Sequence, residues 1–215
     1  MNKILIATSF LLFASRSFAT FDAQILMGGA NAQSTVIGVE QDQSGTAHGS
    51  QAGLSLHFDP IPTVPFSFGL IYLNQGFSVS KEKHKSKTFA GVVVGPEIMA
   101  WLPTAGSLSP YAKLAYTRVG YAKIFDKVDS GNMEVQTEPQ ESTLLYSGSG
   151  ARASTGVNWS AFKYVSFMAE YSMTWTKVHA ISIKDGASGE TTKVEDAPTE
   201  SLTTQGLLLG FGGNI

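Results

Sequence analysis

Past residue 19 the chain alternates apolar and polar positions with a period of two, and no apolar stripe at i, i+3, i+4, i+7 persists. The clearest run covers residues 165–176. Odd positions there carry Val165, Phe167, Ala169, Tyr171, Met173 and Trp175, and even positions carry Ser166, Met168, Glu170, Ser172, Thr174 and Thr176. Successive side chains of a strand point to opposite faces, so this run predicts an apolar face ending in an aromatic and a small, polar face with a lone carboxylate. The same reading predicts eight strands, over residues 23–33, 48–58, 64–76, 88–101, 111–123, 144–159, 164–178 and 203–215. Most can supply the roughly 9–11 tilted residues with which a strand crosses a bilayer.

The links between these strands alternate in length. Short ones with turn chemistry lie at 59–62, 103–107 and 160–163, whereas long polar ones lie at 34–47, 77–87, 124–143 and 179–202. Charge follows the same division, with most charged residues beyond position 19 in the long links. One end of the molecule is therefore highly charged and the other is not. Two long links also contain extended pieces. Residues 121–128 and 133–137 flank Asp129-Ser130-Gly131-Asn132, and 181–184 and 191–194 flank 186–189, which predicts hairpins projecting beyond the strands.

Composition narrows the class. A length of 215 residues suits one domain, and with 43% hydrophobic and 15% charged residues the disordered and coiled-coil classes drop out. Cysteine is absent, which excludes a disulfide framework, thiolate metal sites and a cysteine nucleophile. A net charge of -2 gives no footprint for nucleic acid. Residues 1–19 read as a secretory signal, with Lys3 as the basic n-region, residues 4–13 as the apolar core and Ser17-Phe18-Ala19 as the cleavage site, leaving a mature domain over 20–215. The uncharged stretch 60–80 holds three prolines among its glycines, so no transmembrane helix is expected there.

An even number of antiparallel strands with short turns at one end and long loops at the other predicts an all-β, eight-stranded antiparallel up-and-down transmembrane β-barrel. A closed sheet pairs every backbone group internally, as lipid demands. Outward faces should be apolar: Leu54, Leu56 and Phe58; Phe66, Phe68, Leu70 and Tyr72; Val92, Val94 and Ile98; Leu207, Leu209 and Phe211. Phe58, Phe66, Tyr111, Trp159 and Tyr164 fall near the short turns, where an aromatic girdle is expected. The chain resembles the small eight-stranded outer-membrane barrels of Gram-negative bacteria, the OmpA/OmpX type. Residues 156–159 through 169–175 are similar to that family's penultimate hairpin. The ending Gln205, Gly206, Leu209, Phe211 matches the polar-Gly-x-x-apolar-x-apolar signal that the barrel assembly machinery reads in such proteins. The resemblance implies residence in the bacterial outer membrane, with lipid and lipopolysaccharide as surroundings.

Inward positions by parity include Gln51, Ser55, His57, Glu97, Trp101, Lys113, Arg152, Asn158 and Glu170. Glu97, Lys113, Arg152 and Glu170 fall on four consecutive strands with two charges of each sign, which predicts a lumenal salt-bridge network, since a lone buried charge is very costly. In OmpA-like proteins a similar pairing blocks or gates the lumen, so a narrow gated channel is the alternative to a purely structural core. Arg118 faces outward if Lys113 faces inward. Either a bulge between them flips the register, or Arg118 meets lipopolysaccharide phosphate at the outer interface. The loop with Lys81, Lys83, Lys85 and Lys87 could contact the same anions.

Candidate chemistry is otherwise thin. His48, His57, His84 and His179 lack metal-ligand spacing. His48-Gly49-Ser50 places histidine and serine on one strand face, as lipid A deacylases do, yet without that family's following asparagine context. No cofactor cradle or paired catalytic carboxylates are present. The sequence therefore predicts a non-enzymatic barrel with a structural or surface-interaction role, its long loops open to an extracellular protein or surface ligand. A soluble lipocalin-like barrel is the remaining rival, and it predicts the opposite faces.

Overall fold

The computed structural model describes residues 21–34, 45–59, 64–81, 84–102, 104, 106–125, 142–162, 164–185, 188–194 and 200–214. The signal segment 1–19 lies outside them. The strands are β1 (Phe21–Ser34), β2 (Gly45–Phe58), β3 (Phe66–Lys81), β4 (His84–Trp101), β5 (Leu108–Phe125), β6 (Ser142–Ser160), β7 (Val165–Lys184), β8 (Thr191–Lys193) and β9 (Glu200–Asn214). Sequence neighbours from β1 to β7 pair antiparallel, β7 pairs with β9, and β9 returns to β1. Eight strands thus close an antiparallel up-and-down transmembrane barrel, and β8 is a short piece paired only to the far end of β7.

The register fixes the shape. From Asp22 on β1 the partners run to His57, Gly69, Glu97, Ala115, Arg152, Thr174 and Thr204 and return to β1 at Ala32, so one circuit climbs from position 22 to position 32. With ordinary strand rise and spacing, that stagger over eight strands tilts them about 40° from the axis.

On the outer wall the large exposed side chains are apolar: Ile25 and Met27, Leu54 and Leu56, Phe68 and Leu70, Ile98, Leu114, Phe167 and Leu209 among them. Phe58, Phe66, Trp159 and Tyr164 are exposed near the short turns and form the expected girdle. Tyr111 does not join them. It is 5% exposed and points inward, because it shares the parity of Lys113 two residues on. On six of the eight barrel strands the outward series turns polar toward the long-link end: Met27 gives way to Asn31, Tyr72 to Asn74, Tyr116 to Arg118, Ala151 to Ser149, Trp175 to Lys177 and Leu207 to Gln205. This change marks the edge of the apolar belt. A soluble ligand-binding barrel would need these faces reversed.

The strands run past that edge, so the link 77–87 is mostly a hairpin rather than a loop: Phe77 pairs with Phe89, Ser78 with Thr88 and Val79 with Lys87. Polar side chains do not end a strand whose two faces are both in water; they show where lipid ends. The second projecting hairpin forms as expected. Lys184 pairs with Thr191, Asp185 N–H donates to Glu190 O (3.0 Å) and Gly189 N–H to Asp185 O (2.9 Å), with Gly189 at φ 71, a conformation that favours glycine. The hairpin expected around 129–132 lies outside the described residues.

The interior is mixed rather than uniformly polar. The ions occupy the half nearer the short turns. Toward the other end Phe89 stacks on Tyr121 (centroids 4.6 Å) and packs beside Phe77 (6.1 Å) and Tyr146 (6.2 Å), with Ala32, Ala47, Val178 and Leu202 buried across the bore.

Candidate functional site

The four inward charges meet in a closed ring. Alternation on β4, β5, β6 and β7 turns Glu97, Lys113, Arg152 and Glu170 into the bore, and the stagger of the strands brings them to a common level. Lys113 Nζ lies 2.9 Å from Glu170 Oε2 and 3.8 Å from Glu97 Oε1, while Arg152 Nη1 lies 3.1 Å from Glu97 Oε2 and its Nη2 binds Glu170 Oε1. Each charge therefore touches both charges of opposite sign. Ala115 sits between Glu97 and Arg152 in the register, and its small side chain leaves room for that contact.

Further hydrogen bonds surround the ring, although Arg152 Nε and His57 Nδ1 find no partner among the described residues. Ser55 Oγ donates to Glu97 Oε1 (2.7 Å), His57 Nε2 is 3.0 Å from the same oxygen, and Lys113 Nζ donates across the bore to Gln24 Oε1 (2.7 Å). Tyr111 Oη donates to Glu170 Oε2 (3.1 Å). That reach depends on Gly156, which lies between Tyr111 and Glu170 in the register; a Cβ there would come within 2.7 Å of the tyrosine's Cζ and hydroxyl. The arrangement recurs higher up. Tyr121 crosses Gly91 to donate to Gln75 Oε1 (2.6 Å), and a Cβ on Gly91 would lie 2.1 Å from its ring. Gln75 donates in turn to Gln51 Oε1 (3.0 Å).

The side chains of Glu97, Lys113 and Glu170 are wholly inaccessible to water. Chemically, the ring is a charge-balanced cluster in which each of two carboxylates is clamped by two cations. It can stiffen the bore and hold its strands in register; a half-satisfied version would be strongly destabilising.

The other candidates scatter. Arg118 is exposed on the outer wall, and its partners Val94 and Ser149 continue an unbroken register, so no bulge turns it. Lys81 closes β3, and Lys85 and Lys87 lie in β4; their side chains, like the whole of Lys83, lie outside what is described. Gln205, Leu209 and Phe211 face outward on β9 and Gly206 faces the Gln51 amide inside. His48 Nδ1 is 2.6 Å from Asn31 Oδ1 beside a shallow outer cleft of about 390 Å³, but no hydrogen bond joins it to Ser50. Among the described residues no group of three metal-ligating side chains converges.

Two features escaped the sequence. The tyrosine-over-glycine pairs needed the register, although each pairs an inward tyrosine with a strand glycine. The outward neighbours of Arg118, namely Ser149 and Lys177, are also visible only once strands are aligned.

Neither a family model nor a curated protein sequence matches the chain. Among solved structures, Neisserial surface protein A superposes with a TM-score of 0.57 at 14% identity, over 91% of this chain and 97% of that one. A major outer membrane protein of Thermus thermophilus (TM-score 0.49, 10% identity, 89% and 99% covered) and OprG of Pseudomonas aeruginosa (0.48, 15%, 89% and 94%) are less similar. At these identities the likeness is one of fold, and the fold is that of the small outer-membrane barrels.

Proposed function

We propose that the chain is an integral protein of the bacterial outer membrane, exported by a signal peptide cleaved after residue 19, with no enzymatic activity. Its role is structural and surface-interacting, exercised through the long-link end. The observation that carries this reading is the pairing of an apolar outer belt with strands that continue beyond it, as in β7, which runs from Val165 to Lys184 and there supports β8. Such an extension puts ordered, hydrogen-bonded sheet outside the lipid, a scaffold on which the long links are carried. Sealing of both lumenal carboxylates from solvent supports the non-enzymatic reading, and the filled bore speaks against a gated conduit. The lysines at 81, 83, 85 and 87 would meet lipopolysaccharide or another anionic surface ligand, and Gln205, Gly206, Leu209 and Phe211 would be read by the barrel assembly machinery.

The test is heat-modifiable gel migration of the detergent-extracted protein, followed by protease shaving of intact cells. A folded barrel migrates differently unheated and boiled, and cleavage confined to the long links is expected. Cleavage at the short turns of intact cells, or recovery in the osmotic-shock fraction, would overturn the reading.

A further inference from the structure

The outer wall carries very little charge. Between the short turns and Lys177, the outward strand positions among the described residues hold two formal charges, Arg118 and Lys177, and both are positive. They are not scattered. Arg118 on β5 pairs with Ser149 on β6, and Ser149 pairs with Lys177 on β7, so the three lie in one row across three adjacent strands. Same-face partners in a sheet stand about 5 Å apart at Cβ, which places both cations within reach of one small anion above Ser149. Neither cation forms an ion pair with a carboxylate among the described residues, in contrast to Lys113 and Arg152 inside.

A register shift beside Ser149 adds a fourth group. Gly148 pairs with Val178 and Ser147 with Ala180, so His179 is left without a partner, and its Nε2 lies 3.1 Å from Ser149 Oγ. The hydroxyl in the middle of the row is thereby held by the imidazole, a use to which bulges are often put. Immediately below the row, toward the short turns, stand Tyr116, Ala151 and Trp175, all outward and the two aromatics well exposed. A ligand seated here has its anion at the cations and apolar surface directly beneath it.

We propose that Arg118, Ser149 and Lys177 form a binding site for the phosphate of an anionic membrane lipid in the leaflet on the long-link side. The guanidinium supplies a planar pair of donors to two phosphate oxygens, the ammonium a compact charge, and the hydroxyl a further hydrogen bond. Apolar surface under the anion selects a lipid over free phosphate, because only a lipid brings acyl chains to Tyr116 and Trp175. The site rests on the barrel spanning a bilayer.

The test uses the full mature chain folded into phosphatidylcholine vesicles that contain spin-labelled phosphatidic acid or spin-labelled phosphatidylcholine as probe. The motionally restricted fraction of each probe gives its relative affinity for the barrel wall. A preference for phosphatidic acid of roughly tenfold is expected, falling to about threefold in R118Q or K177Q alone and to near unity in R118Q/K177Q. K184Q/K193Q, which removes two cations from the projecting hairpin, should keep the full preference. No preference in the unaltered protein, an unchanged preference in R118Q/K177Q, or its loss in K184Q/K193Q would each overturn the site. Abolition of the preference by excess inorganic phosphate would assign the row to the bare anion and overturn the lipid. A chain that restricts no lipid at all would instead count against the membrane-spanning barrel.

Discussion

At the scale of single residues, the ring of Glu97, Lys113, Arg152 and Glu170 is the costliest chemistry in the molecule. Its charges are balanced only as a set, since each ion has two partners of opposite sign. Glu170→Ala leaves Lys113 and Arg152 to share one carboxylate at a level closed to outside solvent. A loss of about 3–5 kcal/mol is expected, read as a lower urea midpoint for unfolding from detergent micelles. Tyr111→Phe removes a single hydrogen bond from the same carboxylate, and about 1–2 kcal/mol is expected. If Glu170→Ala unfolded with the unaltered protein, the ring would not be a coupled unit. The four charges were legible in the sequence because a period of two settles which way each side chain faces, and opposite signs on neighbouring strands settle the rest. Their hydrogen-bonding partners were legible only in part. Parity turns Ser55 and His57 inward, but their meeting with Glu97, like that of Gln24 with Lys113, needs the register, in which His57, Gly69 and Glu97 share one row.

At the scale of elements, glycine in these strands has specific neighbours. Tyr111 lies across Gly156 and Tyr121 across Gly91, each tyrosine hydroxyl reaching an acceptor on the strand beyond. A methyl group at either glycine collides with a buried ring and with a facing backbone carbonyl oxygen, Ala169 O at Gly156 and Gly120 O at Gly91. Gly91→Ala and Gly156→Ala are therefore expected to cost about 1–3 kcal/mol, visible as a lower temperature for the shift to the unfolded gel position. Gly76, with nothing within 4 Å of its notional Cβ, is the control, and Gly76→Ala should migrate as the unaltered protein does. Equal behaviour of all three would remove the packing argument. Strand identity was read correctly because alternation survives in all eight, but strand length was not. The segment 77–87 looks like a loop by polarity, whereas pairing continues through Val79 and Lys87, since the alternating signal reports lipid contact and not hydrogen bonding. It follows that the projecting piece is separable. Deleting residues 186–192, which removes most of β8, should leave the heat-modifiable barrel intact, because β8 pairs with the tip of β7 alone; a chain that no longer folds would show that the tip supports the wall.

At the scale of the whole molecule, strand number and stagger together fix the bore. Eight strands at a tilt near 40° enclose a cylinder of about 8 Å backbone radius, which inward side chains fill. Here they fill it twice. The ion ring closes the half nearer the short turns. Phe77, Phe89, Tyr121 and Tyr146, facing Ala32, Ala47, Val178 and Leu202, close the other half, every one of them buried. The two closures differ in kind, so they answer to different changes. Removing a charge from the ring unbalances it and lets water into that level, but leaves the stacked aromatics untouched. In planar bilayers the unaltered protein is therefore expected to show no open-channel steps, and Glu170→Ala is expected to stay closed as well. Steps should emerge only when Phe89→Ala is added to Glu170→Ala, opening both levels at once. A steady conductance in Glu170→Ala alone would mean that ions pass the aromatic layer freely, and the bore would then be a conduit with a single gate rather than a packed core.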